Sequence, residues 1–311
     1  MPDRELTADA EDHTEIWVRR GAHRIYARTA GHRGAGADPP LVLMHGFPDN
    51  LHLYDRLLPY LLPTRQVITF DFLGWGASDK PTGYPYTATN QVGDLDAVLS
   101  RLGLDQVVLV AHDASGPPAI DWALEHPHRI AGLVLLNTYY HWMPGLRRPE
   151  AIFLYSTPLL RNLARAVMRR APGLDRRLYT WQVGRFIRDA DVRAELVPLF
   201  YQQFRPARSA FWRLNDDLLG TVWSRRRMVP RARGFTAPVR IVFGAADPYL
   251  NVHVARRFHA LFPRSEMFLL PTARHYVQVD EPRQVARLIL SLPGSRPASD
   301  REPLPPIGER S

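Results

Sequence analysis

From Ile16 to Leu292 the chain alternates between two kinds of apolar pattern. One is a short continuous run of β-branched and aliphatic residues, as strands buried on both faces require; the other places apolar residues every three to four positions, as a helix with one buried side requires. The runs predict strands over 16–19, 24–28, 41–44, 66–71, 107–111, 132–137, 239–243 and 266–270. The periodic stretches predict helices over 54–62, 90–102, 115–126, 251–261 and 281–292, with Pro59 interrupting the first. The first two strands read as an antiparallel hairpin around Gly21, and the remaining strand–helix alternation reads as a mostly parallel sheet covered by helices. The alternation stops over 138–233, which holds no strand pattern and carries apolar helical segments at 151–167, 177–187 and 192–204. That block reads as a helical cap inserted into a core made of 16–137 and 234–292. Residues 1–15 are polar and acidic, and 293–311 hold five prolines with no apolar period, so a flexible N-terminus and a disordered tail are expected.

The 311 residues, 45% hydrophobic and 23% charged, suffice for one large α/β domain with an insertion and for a sizeable core. Cysteine is absent, which removes disulfide scaffolds, thiolate metal sites and cysteine nucleophiles. The formal charge is +9, and Lys80 is the one lysine among 40 basic residues. The arginines stand in ones and twos along the chain, with short clusters at Arg169-Arg170, Arg176-Arg177 and Arg225-Arg226-Arg227, so neither a nucleic-acid nor a membrane partner is expected. No apolar run reaches the ~18 residues of a membrane span, and a cytoplasmic location is expected.

The most informative window runs Val107-Val108-Leu109-Val110-Ala111-His112-Asp113-Ala114-Ser115-Gly116, a buried-type strand leading directly into a helix. Small residues two before and two after Asp113 are what a sharp nucleophile-bearing turn needs, because larger side chains would strike the neighbouring strand and helix. Ser115 cannot be the reactive residue of such a turn, since Asp113 and Pro117 would then occupy the small positions. The plainer reading is that Asp113 caps the following helix. Two further windows bear on the choice. His45-Gly46-Phe47-Pro48 follows the third strand, where a loop N–H would join that of Ala114 in an oxyanion hole. Asp71-Phe72-Leu73-Gly74-Trp75-Gly76-Ala77-Ser78-Asp79-Lys80-Pro81 forms a glycine-rich turn after the fourth. With these windows the chain, from about Trp17 to Leu292, resembles the α/β-hydrolase superfamily. The His112-Asp113 pair is similar to its aspartate-nucleophile branch of epoxide hydrolases and haloalkane and fluoroacetate dehalogenases. The resemblance implies the α/β-hydrolase fold, an eight-stranded mostly parallel sheet with flanking helices and a helical cap.

It also implies a chain order of nucleophile, acid, histidine. Asp247, closing the strand 239–243, holds the acid position; the family's alternative site after the sixth strand is Asn137, which cannot serve as an acid. His275, after the last strand, holds the histidine position. Phe47 and Ala114 would supply the oxyanion N–H groups, and the His-Gly-x-Pro loop would carry a cis bond at Phe47-Pro48. Such an aspartate displaces a leaving group at saturated carbon to give an alkyl ester, which a histidine-activated water hydrolyses, with no cofactor and no metal. His-Gly-x-Pro favours a hydrophobic epoxide and water as substrates. The haloalkane reading wants a tryptophan after the nucleophile, where Ala114 stands, and an asparagine or tryptophan-based partner in the first loop, which Phe47 occupies. Epoxide hydrolases contribute two cap tyrosines as donors to the leaving oxygen; Tyr155 fits the first, Trp212 occupies the second position, and Tyr139, Tyr140 and Tyr201 are substitutes, each of which serves equally as plain packing. Phe153, Tyr155, Trp142, Trp181 and Trp212 are expected to line the pocket. A non-catalytic ligand-binding member of the fold and a homodimer stay open.

Overall fold

The computed structural model of the protein describes residues 13–31 and 38–292. The expected tail 293–311, and all but residues 13–15 of the expected flexible N-terminus, lie outside them; those three residues begin a strand. Eight strands form one sheet: β1 His13–Arg20, β2 His23–Ala30, β3 Leu41–Met44, β4 Val67–Phe70, β5 Val107–Asp113, β6 Ile130–Thr138, β7 Val239–Gly244 and β8 Ser265–Leu270. Their spatial order is β1-β2-β4-β3-β5-β6-β7-β8. β2 runs antiparallel to both β1 and β4, and every pairing from β4 to β8 is parallel.

Alternate residues of the parallel strands feed two separate cores, the reason these strands read as unbroken apolar runs. Val42, Met44, Leu109, Ala111, Leu133, Leu135, Ile241 and Phe243 pack under α2 Ala88–Arg101, α3 Gly116–Glu125 and α10 Val252–Leu261. Leu41, Leu43, Val108, Val110, Val134, Leu136 and Val242 pack under α1 Leu58–Leu61, α11 Val277–Asp280 and α12 Pro282–Leu290. The helix expected over 54–62 is a 3-10 turn at Leu51–Tyr54 followed by the single turn α1, with Pro59 in its first turn where a missing N–H costs nothing.

Between β6 and β7 stand six helices: α4 Glu150–Ser156, α5 Pro158–Arg170, α6 Pro172–Gly184, α7 Ala190–Asp216, α8 Leu218–Ser224 and α9 Val229–Arg233. The segment expected as one helix over 151–167 is broken at Thr157, because Pro158 forces the residue before it out of the helical region (φ −88°, ψ 117°). α7, expected to end at Phe204, runs on to Asp216 through Pro198 and Pro206. A proline inside a helix normally ends it; here Val197, Phe200, Phe204, Ala207, Ala210 and Phe211 are buried along one side, and tertiary packing overrides the local cost.

Candidate active site

At the end of β5 the chain turns so sharply that Asp113 takes φ 49°, a left-handed conformation unusual for a side-chain-bearing residue. The turn is held from three sides. Ser115 Oγ accepts the His112 N–H at 2.9 Å and lies 2.7 Å from the Met44 carbonyl of β3, so the small residue two after Asp113 ties two strands. Thr138 Oγ1 donates to the Asp113 carbonyl. A Cβ on Gly116 would collide with that same Thr138 hydroxyl, and one on Gly46 would come within 2.7 Å of the Asp113 Cβ, so both glycines permit close approach. The helix-cap reading fails: the residue capping α3 is Ser115, with no side-chain cap bond. The Asp113 carboxylate points instead to the β3 loop, where Oδ2 accepts the Phe47 N–H at 3.2 Å. Burial raises the pKa of Asp113 above the ordinary carboxylate value, against the opposing pull of His275 and the N–H groups of Ala114 and Phe47.

His275 follows β8. Its Nδ1 lies 2.7 Å from Asp247 Oδ2, and its Nε2 lies 3.9 Å from Asp113 Oδ1. Burial works against the imidazolium, yet the Asp247 charge and hydrogen bond, with Asp113 behind them, leave the His275 pKa raised. Asp247 is buried as well, but His275 and its other donors hold it ionised, with a lowered pKa. Its Oδ1 accepts the N–H groups of Tyr249 at 2.8 Å and Leu250 at 3.2 Å, and its Oδ2 accepts from Asn137 Nδ2 at 2.8 Å.

Asn137 cannot serve as the acid, and the sequence reading went no further with it. The structure gives it a different task. The β5–β6 pairing steps from His112 opposite Leu136 to Asp113 opposite Thr138, leaving Asn137 as a bulge at φ 27°. Asparagine tolerates that conformation better than most residues. The freed side chain spans β6 and β7, donating to Asp247 and accepting the Gly244 N–H at 2.7 Å. Its position at the end of β6, the alternative acid site, was the signal available.

The two motif histidines are structural. The Phe72 N–H donates to His45 Nε2 at 3.2 Å, so the ring proton sits on Nδ1, which donates to the Gly46 carbonyl at 2.7 Å; burial keeps the ring neutral and the loop is fixed around it. His112 Nε2 donates to the His275 carbonyl at 3.1 Å and so holds the backbone that carries the imidazole. Phe47-Pro48 is cis. Sequence reasoning also missed Asp49, next after the motif: it is buried, accepts from Tyr276 Oη at 2.6 Å, and has its pKa pushed up to about 7, by burial and by the neighbouring Asp113 charge.

Above these residues is a cavity of about 350 Å³ whose floor is Phe47, Pro48, Asp113, Ala114 and His275 and whose walls come largely from α4, α6, α7 and α8. Tyr155 and Trp142 line it, as expected. Phe153 and Trp181 face outward, and Trp212 is buried away from the cavity under the guanidinium groups of Arg169 and Arg208. Trp212 therefore does not reach a leaving atom over Asp113. Of the substitutes, Tyr139 lines the cavity within electrostatic reach of Asp113, Tyr140 is bound to Asp121 at 2.8 Å, and Tyr201 turns to Asp175. Tyr179, not singled out from the sequence, lines the cavity with a buried hydroxyl that has no hydrogen-bond partner. No group of metal-ligating side chains occurs among the described residues.

A strand-order sheet of this kind, with the Asp113 turn at its centre, is matched by a family model for the alpha/beta hydrolase fold over residues 39–282. The chain belongs to the α/β-hydrolase family. This α/β-hydrolase is 26% identical over 262 residues to haloalkane dehalogenase 2 of Mycobacterium bovis, covering 82% of this chain and 88% of that protein. It is 37% identical over 129 residues to the cis-3-alkyl-4-alkyloxetan-2-one decarboxylase of Shewanella oneidensis, a match to 40% of this chain and 41% of that protein. Among solved structures, the haloalkane dehalogenase of Agrobacterium tumefaciens C58 superposes with a TM-score of 0.75 at 19% identity, over 90% of this chain and 95% of that one, a likeness of fold. The α/β-hydrolase activity class is thereby set, and no helix among the described residues is long and apolar enough to cross a membrane.

Proposed function

We propose that this hydrolase works through a covalent ester on Asp113 and that its substrate is a hydrophobic epoxide, opened to a diol. The observation that carries the reading is the Asp113 carboxylate at the apex of the β5–α3 turn, on the floor of an apolar cavity, facing a histidine already bound to its own carboxylate. An ionised carboxylate needs no base to attack saturated carbon. As the Asp113 oxygen–carbon bond forms, the ring carbon–oxygen bond breaks and the alkoxide takes a proton from a cap phenol. Tyr155 is the first donor, its pKa pushed up to about 12 by burial, and Tyr179 is the second candidate. Hydrolysis follows at the ester carbonyl. His275 Nε2 stands too far from Asp113 Oδ1 for a hydrogen bond and is free to take a proton from a water aimed at the carbonyl carbon. The Phe47 and Ala114 N–H groups face the developing oxyanion. Collapse expels the diol, which takes the proton back from His275, and the carboxyl proton left on Asp113 returns through solvent to the phenol.

Carbon–halogen cleavage is the second reading, favoured by the dehalogenase relative that spans most of the chain. Against it, Ala114 and Phe47 present no side-chain N–H toward a departing halide, and Trp212, the indole expected as leaving-group donor, is outside the cavity.

The deciding experiment is the intact mass of His275→Gln protein incubated separately with epoxides, bromoalkanes and, because of the Shewanella relative, an alkyl oxetan-2-one. A stable adduct with epoxides alone is the expected outcome. An adduct only with a bromoalkane transfers the assignment to dehalogenation, and no adduct with any compound removes the ester mechanism.

A further inference from the structure

Residues 158–184, the span of α5 and α6, contain six arginines and one acid, so five of the nine units of formal charge on the chain arise in these two helices. The acid, Asp175, is buried and bound to Arg208 at 3.2 Å. The nearest relief comes from α7, where Asp216 pairs with Arg161 and Arg165 at 2.9 Å each. Arg169, Arg170, Arg176 and Arg177 are exposed and form no ion pair among the described residues. Along the linear chain these arginines look scattered; the short α5–α6 connection brings them together at one end of the two helices.

The exposed side of α5 that leads to this corner is apolar in an ordered way. Leu159, Leu163 and Val167 repeat every four residues on one side of α5, with Leu160 beside them. Leu159 is 91% exposed and Leu163 68%, far more than a packed helix leaves to its leucines. The buried side of α5 is a different one, carried by Ala164 and Met168. None of the four exposed side chains lines the site cavity, so substrate binding does not account for them.

We infer that this face of α5 and α6 docks on an anionic lipid bilayer, the leucines entering the boundary between headgroups and acyl chains and the arginines lying against lipid phosphates. An aliphatic row flanked by arginines, with no exposed acid in the stretch, is the pattern that binds in the plane of such a surface. A second copy of the chain fits poorly, because a two-fold contact would set two strongly positive faces against each other. Contact is peripheral, since no described helix is suited to span. The inference does not depend on which substrate Asp113 attacks.

Co-sedimentation of the full chain with vesicles of pure phosphatidylcholine, and with vesicles containing about one third phosphatidylglycerol, tests it. Partitioning should rise about tenfold with the anionic lipid and fall back in high salt, where the screening length drops to about 3 Å. The Leu159→Asp/Leu163→Asp variant should lose about tenfold of that binding with its melting temperature unchanged, because both side chains are already in water; Leu159→Ser/Leu163→Ser separates lost insertion from added negative charge and should fall in between. Absence of lipid-dependent binding overturns the inference. So does undiminished binding of both leucine variants, which would leave only diffuse charge attraction. A concentration-dependent dimer of the parent chain, dissolved by the same substitutions, would give the face to a second copy.

Discussion

The floor of the cavity and the helices above it obey different rules. On the floor, Asp247 takes four hydrogen bonds, Asn137 joins two strands, and each ring nitrogen of His45 has a partner, all within segments whose backbone is fixed by the sheet. In the layer above, the Tyr179 hydroxyl is buried with no partner among the described residues, two prolines sit inside α7, and leucines face solvent. The floor is pinned by directed hydrogen bonds, though His112 Nδ1 is left without a partner among the described residues. The upper layer is held by shape and apolar contact, and the Tyr179 hydroxyl that lines the cavity is what a bound substrate's oxygen can meet.

The widest test of that contrast is Asp113→Ala, which should lower turnover by roughly 10⁴-fold or more while circular dichroism and melting stay near the parent, since the carboxylate accepts no capping bond from α3. Turnover within tenfold of the parent would remove the floor's assigned role. In the upper layer, Tyr155→Phe should slow the alkylation step by on the order of 10²-fold in rapid-quench measurements, the lower part of the range for one general acid. Trp212→Phe should cost less than Tyr155→Phe at that step, because the indole is outside the cavity and acts only through the Tyr155 hydroxyl, whose pKa its hydrogen bond lowers; a larger cost for Trp212→Phe would reverse the donor assignment and favour the halide reading. Asn137→Ala should cost about 1–3 kcal/mol of stability by denaturant unfolding, leaving the buried Gly244 N–H and one Asp247 oxygen short of a partner. An unchanged midpoint would show that the bulge at β6 is not supported by that side chain.

The pH dependence gives the smallest and most graded effect. Alkylation needs Asp113 ionised, and its pKa is raised from 3.8; hydrolysis needs His275 neutral, and its pKa is raised from 6.5. Both steps therefore weaken as pH falls. Turnover of the parent should decline toward acid pH, and a flat profile would remove one of the two groups from its role. Asp49→Asn should move the hydrolysis limb to lower pH, because the Asp49 charge is one of those that raise His275; an unmoved limb would separate Asp49 from the site.

What was legible in advance follows the same division. The strand–turn–helix around Asp113 is coded locally: small residues at Ala111 and Ser115, an apolar run before them and a helix after them leave one geometry open. The places of Asp247 and His275 follow from their standing at strand ends in a fixed chain order. Asn137 was read only for what it lacks as an acid, because the bulge that turns it toward Asp247 depends on β6 pairing with β5 and β7 at once.

The sequence by itself determined the sheet, the three residues at its carboxyl edge and the existence of a helical insertion, since each rests on a period of two or three to four residues or on a sharp local turn. Tertiary structure alone decided which aromatic side chains face the cavity, that Tyr179 does and Trp212 does not, and that a row of α5 leucines is left exposed. The reason is physical. A helix's own sequence sets which residues lie on the same side, but the direction that side faces is set by what packs against it.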